Sequence, residues 1–196
     1  MWNFLFFTGY LKLIAMRMEN DDVYIKLAIP NREVSAIYRN QIRTWFDDKI
    51  KMQDLTVMYQ SMFAGKVESF EEELSVQLRK TISYMDNAGS FYHGFLLGIM
   101  ANLKDYIVRS NRESGDGRYD VCVYSNDISI PPVILELKVA KEYKQLEAAC
   151  DTALEQIEEK HYTEDFEGEG YRNVICYGIG FYKKQVQVKA MRKELE

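Results

Sequence analysis

Apolar and polar residues alternate over several short segments in the second half of the chain, and strand side chains alternate between the two faces of a sheet. Together with helical patterns, these segments predict the order helix–β–β–β–helix–β with one further strand. The predicted elements are helix 91–103, strands 106–110, 118–124 and 131–140, helix 144–160, and strands 173–181 and 185–189. This order is typical of a mixed β-sheet flanked by helices.

The first half of the chain has mostly helical patterns. The apolar opening segment, Trp2 to Met16, predicts a helix that packs on another surface, while 13–18 and 23–28 predict two strands around a polar turn. Asn31 is expected to cap a helix that begins at Arg32.

Helical pattern then continues to about residue 85, with Gly65 as the clearest break. Four apolar residues recur at every fourth position and predict an amphipathic helix: Phe70, Leu74, Leu78 and Ile82. We therefore predict a mostly helical N-terminal module with a short β-hairpin at 1–86 and a second domain at 87–196.

Two charged residues interrupt the apolar strand 131–140. Glu136 and Lys138 share one face of that strand, and burying charge is costly unless a partner compensates it. Strand 118–124 could pair with it antiparallel and bring Asp120 beside Glu136. Two carboxylates and an ammonium on one sheet face would suit a hard divalent cation and an activated water. The alternative is a structural salt bridge between neighbouring strands.

This arrangement resembles the PD-(D/E)XK nuclease superfamily, with Asp120 as the family's acid and Glu136-Leu137-Lys138 as its E-x-K element. Five further blocks in order resemble the nuclease-like domain found at the C-terminus of bacterial proteins with an AAA-ATPase-like region. These blocks are 91–95, 110–115, 117–120, 153–157 and 177–181. The resemblance implies a restriction-endonuclease-like α/β fold and an AAA-ATPase-like domain in cis. Segments 2–5 and 29–34 resemble the junction after that ATPase region, so the chain is expected to be a piece of a longer protein.

The resemblance also implies roles for individual residues. Asp120 and Glu136 would hold Mg²⁺ or Mn²⁺ together with the main-chain oxygen of Leu137, and Lys138 would orient the attacking water or stabilise developing charge. Gln156, at the edge of a helix's apolar stripe, fits the family's helix glutamine near the substrate. RecB-like nucleases place a tyrosine four residues later; here the nearest is Tyr162, six residues later, which is a candidate substrate contact.

Several other polar residues are candidate substrate contacts. Four of them surround two glycines just before Asp120, where a loop with hydrogen-bond donors could grip phosphates: Asn111, Arg112, Ser114 and Arg118. A tight turn with surface arginines is the alternative. The family often has a glutamate on the first core helix, but no acid occurs between Asn87 and Lys104. His93 is the titratable residue there and is a candidate ligand, phosphate contact or acid–base group, or else a core histidine.

Composition limits the remaining possibilities. The net charge is −5, and ten acids against three bases give −7 over 141–170 alone, so weak binding to duplex DNA is expected. Three widely separated cysteines favour a reducing cytoplasm. No P-loop motif occurs, and the apolar opening segment is too short to span a membrane and lacks a basic leader.

We therefore expect a metal-dependent nuclease that acts on DNA. The main alternative is a catalytically inactive nuclease-fold module that binds nucleic acid or protein. A third possibility is an assembly domain that docks on its ATPase. The sequence does not predict the oligomeric state.

Overall fold

A computed structural model describes residues 7, 9, 11–19, 22–35, 54–81, 89–110 and 113–195. The chain divides into two compact units, Met1–Lys49 and Ile50–Glu196. The domain boundary predicted after residue 86 lies outside the described residues. The helices that precede it between 56 and 81 belong to the second unit, and the predicted division stays a prediction.

The first unit contains a β-hairpin, β1 (Lys12–Glu19) and β2 (Asp22–Ala28), which confirms the two strands predicted around a polar turn. β1 includes Lys12 to Met16, so the helix predicted over residues 2–16 is wrong at these positions. There the backbone pairs with β2 across the hairpin instead; residues 2–6 lie outside the described residues. The predicted cap is confirmed, because the Val34 N–H donates to Asn31 Oδ1 over 2.9 Å.

The second unit is built on a five-stranded mixed sheet with the order β3-β6-β7-β8-β9. Its strands are β3 (Ile107–Ser110), β6 (Val121–Tyr124), β7 (Val133–Val139), β8 (Asn173–Tyr182) and β9 (Gln185–Glu194). A separate small ribbon joins β4 (Glu113–Ser114) to β5 (Gly117–Arg118). The helices are α1 (Thr56–Ala64), α2 (Val67–Thr81), α3 (Gly89–Met100) and α4 (Leu146–Glu159). β7 and β8 are parallel, and all other pairs in the large sheet are antiparallel.

Helices cover the sheet and bury its apolar side chains. The predicted apolar face of α2 is confirmed, since Phe70, Leu74 and Leu78 are fully buried; Ile82 lies outside the described residues. α1 ends at Ala64 and is capped by Gly65, whose φ of 70° is left-handed and favours glycine. α4 connects β7 to β8 and lies so close to β8 that a side chain at Gly178 would collide with the Cys150 carbonyl oxygen.

The fold agrees with the predicted mixed sheet flanked by helices, with two differences in the strands. Residues 118–124 do not form one strand, because Gly117 and Arg118 pair with the β4 ribbon while β6 begins at Val121. Asp120 therefore lies at the start of β6. The last strand continues to Glu194 because it pairs with β8 along its whole length. Among the described residues, no helix is long and apolar enough to cross a membrane.

Candidate active site

Asp120 and Glu136 meet where β6 begins beside β7. The register pairs Val121 with Leu135, so the preceding residue on β6 lies opposite the following residue on β7. The Asp120 N–H donates to Glu136 Oε2 over 3.2 Å, and Asp120 Oδ2 accepts a hydrogen bond of 3.0 Å from the Leu137 N–H. The structure thus brings the two predicted acids together. Glu136 accepts a hydrogen bond from the backbone of Asp120, and Asp120 accepts one from the backbone of Leu137, which follows Glu136.

The Leu137 main chain faces the same space. A strand residue points its N–H and C=O to the same side, and the Leu137 N–H points to Asp120. β6 pairs with β7 only at Val133 to Leu135, so its ladder does not reach the Leu137 carbonyl. That oxygen therefore points to the β6 side of the strand, beyond the end of the ladder, and its role as a metal ligand stays a prediction.

Lys138 completes the predicted set. Its Nζ donates to Glu136 Oε1 over 2.8 Å and to Gln156 Oε1 over 2.7 Å. Glu136 is only 2% exposed, whereas the Lys138 side chain is 29% exposed. An ammonium has three N–H donors, so beyond these two bonds one donor remains to point toward solvent or substrate.

Gln156 and Tyr162 extend the site toward β5. The Gln156 side-chain amide donates to the Tyr162 hydroxyl over 2.9 Å, and that hydroxyl donates to the Arg118 carbonyl oxygen over 2.7 Å. The structure therefore brings Tyr162 to Gln156 although it lies six residues later. The chain turns sharply after α4, where His161 has a left-handed φ of 52° and the Tyr162 N–H donates to the Ile157 carbonyl.

His93 projects from α3 to the backbone of Asp120. Its Nε2 lies 3.0 Å from the Asp120 carbonyl oxygen and 2.9 Å from Ser110 Oγ. A carbonyl can only accept, so this contact requires a proton on Nε2. His93 therefore holds the backbone of Asp120 from α3, the helix on which the family often has an acid. Ser110 is not among the predicted site residues. The sequence feature that could have identified it is its position at the end of β3, the strand that pairs with β6.

The remaining predicted residues lie around the small ribbon. Ser114 is buried, and its hydroxyl donates to the Tyr162 carbonyl oxygen over 3.0 Å, so this side chain supports the turn that carries Tyr162. The Arg118 side chain is exposed. Asn111 and Arg112 lie outside the described residues. Substrate contacts by these residues stay predictions.

Burial and charge repulsion dominate the electrostatics of the site. Burial, and then the nearby charge of Asp120, raise the pKa of Glu136 from 4.5 to about 7, although Lys138 acts in the opposite direction. Two close carboxylates in a low-dielectric environment disfavour the doubly ionised state. A divalent cation between them would remove this repulsion.

The donor set therefore fits a hard divalent ion. Mg²⁺ prefers oxygen ligands and commonly uses one or two carboxylates with waters and substrate phosphate. Asp120, Glu136 and the Leu137 carbonyl could supply such ligands. The described residues contain no cluster of three or more His, Cys, Asp or Glu side chains suited to a metal ion. Any ion here would have two carboxylate ligands and would complete its shell with main-chain oxygen, water or substrate.

Sequence comparisons agree with this geometry. A family model of the PD-(D/E)XK nuclease superfamily matches residues 88–191, just over half of the chain. No curated protein matches the chain. The matched region includes α3, most of the mixed sheet and every site residue described above, and the sheet is consistent with the predicted restriction-endonuclease-like fold. The chain belongs to the PD-(D/E)XK nuclease superfamily.

Proposed function

We propose that this protein is a metal-dependent nuclease that hydrolyses phosphodiester bonds of DNA. The observation that carries the proposal is the convergence of Asp120, Glu136 and Lys138 where β6 begins beside β7. Gln156 accepts a hydrogen bond from the lysine. Membership of a nuclease superfamily supports a nuclease-type reaction. Mg²⁺ or Mn²⁺ would lower the pKa of a bound water and neutralise charge on the phosphate.

Each residue of the site has a distinct role in this proposal. Asp120 and Glu136 would supply the negative charge that holds the ion, and the Leu137 carbonyl would add a neutral oxygen. Lys138 directs its remaining N–H to the attacking water or to a phosphate oxygen, where it stabilises the negative charge that develops. Gln156 fixes the ammonium at 2.7 Å, so the lysine is already oriented when substrate arrives.

The proposed partner is an AAA-ATPase-like domain in the same parent protein. A net charge of −5 gives little non-specific attraction to DNA, which depends on phosphate contacts with basic residues. A second domain that holds or moves the DNA would compensate for this weakness. We also propose a cytoplasmic location, because all three cysteines are buried and free and such thiols are usual in a reducing compartment.

A cleavage assay with matched variants tests the proposal. Single- and double-stranded DNA are incubated with Mg²⁺ or Mn²⁺ and with wild-type protein, Glu136→Ala or Lys138→Ala. Lys189→Ala is the control, since the half-buried Lys189 pairs with Asp151 and Glu147 outside the site. We expect cleavage by the wild type and the control, and a loss of at least about a hundredfold in the two site variants. Cleavage that those two changes leave intact would remove the residues from the mechanism.

Two features favour a second function. The first core helix carries His93 where the family often has an acid, and Lys138 already compensates the charge of Glu136. Both features suit an inactive module that binds nucleic acid or protein. Calorimetric titration distinguishes the two functions: no heat of Mg²⁺ or Mn²⁺ binding at millimolar concentration, with DNA still bound, would favour the binding module.

A further inference from the structure

Asp120 lies in a gap between two strands. β5 ends at Arg118 and β6 begins at Val121, and the strand pairings of the described residues include neither Tyr119 nor Asp120. A backbone N–H and C=O outside a ladder need other partners. The orientation of the Asp120 carboxylate therefore depends on the groups that hold this one residue.

Side chains supply those partners. The Asp120 N–H donates to Glu136 Oε2 over 3.2 Å, and the Asp120 carbonyl oxygen lies 3.0 Å from His93 Nε2. Glu136 is itself a proposed ligand of the ion, so an ion that binds its oxygens would weaken the first of these bonds. The bond from His93 uses no carboxylate oxygen, so it can persist when an ion is bound.

The imidazole of His93 is held from several sides. The preceding residue, Tyr92, is fully buried, stacks on Phe181 with ring centroids 4.6 Å apart and donates its hydroxyl proton to the Lys183 carbonyl oxygen over 2.9 Å. These contacts fix this turn of α3 against β8. Ser110 Oγ lies 2.9 Å from the same Nε2, so the ring also contacts β3. The imidazole is therefore ordered before any ion binds.

The geometry also separates two roles that the sequence leaves open for His93, a metal ligand and a contact within the protein. Nε2 must carry a proton to bond the Asp120 carbonyl oxygen, because a carbonyl only accepts. A ring nitrogen that carries a proton offers no lone pair to a metal. His93 therefore acts on the backbone of Asp120 and not as a ligand through Nε2.

We propose that His93 is a positioning residue: its Nε2–H bond to the Asp120 carbonyl oxygen fixes the Asp120 carboxylate in the orientation that binds the divalent ion. This role rests on the proposed nuclease function, because the ion belongs to that site. The 3.0 Å bond from the Leu137 N–H to Asp120 Oδ2 reports the orientation, because it breaks when the carboxylate turns away. Partners that orient metal ligands typically contribute about 10–100-fold to metal affinity.

Three substitutions at His93 separate a hydrogen-bond donor from a metal ligand. His93→Gln keeps an N–H donor near the position of Nε2, His93→Glu has nearly the same shape but only accepts when ionised, and His93→Ala removes the group. Asn102→Ala is the matched control, because it deletes a 2.9 Å bond to the Gly98 carbonyl near the end of the same helix. Thermal unfolding verifies that each variant folds, and the glutamine–glutamate pair carries the comparison if the alanine variant does not.

Two measurements on the full chain follow the site without any cleavage. Amide hydrogen exchange of Leu137, measured by NMR in EDTA, reports the orientation of the Asp120 carboxylate in the metal-free protein. The amide of Ile179, a fully buried residue of β8, is the internal reference for global stability. Calorimetric titration with Mn²⁺ alone measures the affinity for the ion.

We expect His93→Ala and His93→Glu to speed exchange at Leu137 about fivefold or more and to weaken Mn²⁺ binding at least about tenfold. His93→Gln should restore both values to near those of the wild type, and Asn102→Ala should change neither. Tighter Mn²⁺ binding by the glutamate variant than by the glutamine variant would indicate a ligand position and overturn the positioning role.

The exchange measurement also separates this role from the nuclease function. Unchanged Leu137 exchange in both His93→Ala and His93→Glu would overturn the positioning role, whether or not the wild type binds metal or cleaves DNA. If the wild type neither binds Mn²⁺ nor cleaves DNA, but Leu137 exchange still follows the presence of a donor at position 93, the nuclease function fails and His93 remains the residue that positions Asp120.

Discussion

Replacing Glu136 with glutamine should stabilise the metal-free protein at high pH. Glutamine has the shape of glutamate but stays neutral, like the protonated acid. Because burial and the Asp120 charge raise the pKa of Glu136 from 4.5 to about 7, the folded state binds a proton at pH values where the unfolded state has released it. The stability associated with this proton is fully present below pH 4.5 and is lost as the pH rises through 7.

The size of the effect follows from the pKa. A difference of one between the pKa values of the folded and unfolded states corresponds to about 1.4 kcal/mol of stability. The rise of the Glu136 pKa from 4.5 to about 7 therefore corresponds to about 3 kcal/mol. Glu136→Gln should therefore be more stable than the wild type by up to about 3 kcal/mol at pH 8, relative to the difference between them at pH 4. Part of this gain is offset because a neutral amide attracts the Lys138 ammonium less strongly.

Urea unfolding in EDTA at pH 4, 6 and 8 measures the free energy of unfolding of both proteins. Glu142→Gln is the control, since Glu142 is 58% exposed and its replacement should change stability by no more than about 0.5 kcal/mol at any pH. Adding Mg²⁺ at pH 8 should stabilise the wild type and leave Glu136→Gln almost unchanged. A difference between wild type and Glu136→Gln that does not grow from pH 4 to pH 8 would refute the burial argument.

Three further predictions follow from the described contacts. Gly178→Ala should destabilise the protein by more than about 2 kcal/mol in urea unfolding, because the new methyl collides with the Cys150 carbonyl; Gly94→Ala, with open space around it in a helix, should instead stabilise by up to about 1 kcal/mol. Tyr162→Phe should lower cleavage more than Tyr171→Phe in the same assay, because the first hydroxyl holds Gln156 and the second does not; equal losses would contradict this. The three buried cysteines should resist a thiol reagent in the native protein and react after denaturation, and rapid labelling of the native protein would argue against their burial.

The meeting of Asp120 with Glu136 could be predicted from sequence because strand periodicity is simple. Alternation places Glu136 and Lys138 on one face of β7. The short loop between β6 and β7 favours their pairing as antiparallel neighbours. The same reasoning missed the break at Tyr119 and Asp120, because Gly117 and Arg118 pair with a separate ribbon. That break depends on contacts distant in sequence, which a local pattern does not contain.

The position of Tyr162 shows where sequence spacing fails. On a continuous helix, a residue six positions after Gln156 would lie far from its side chain. α4 ends at Glu159, and a left-handed residue, His161, reverses the chain so that the tyrosine hydroxyl reaches Gln156. A positive φ is uncommon for any residue other than glycine, so the sequence alone does not predict it at His161. The reversal is supported by the β4–β5 ribbon, where the Asp116 N–H donates to the Lys160 carbonyl.

A series of hydrogen bonds connects the β4–β5 ribbon to the two acids. Tyr162 orients Gln156, Gln156 orients Lys138, and Lys138 binds Glu136, with bonds between 2.7 and 2.9 Å. The site is therefore ordered before any ion or substrate binds, and the unfavourable part of that order is the buried charge of Glu136 beside Asp120. A protein that only needed a stable core would do better with an apolar residue at this position. A divalent cation is the ligand that would turn the same repulsion into binding energy. The part of the pH dependence of stability that Glu136 causes and the affinity for Mg²⁺ should therefore both be lost when Glu136 is made neutral.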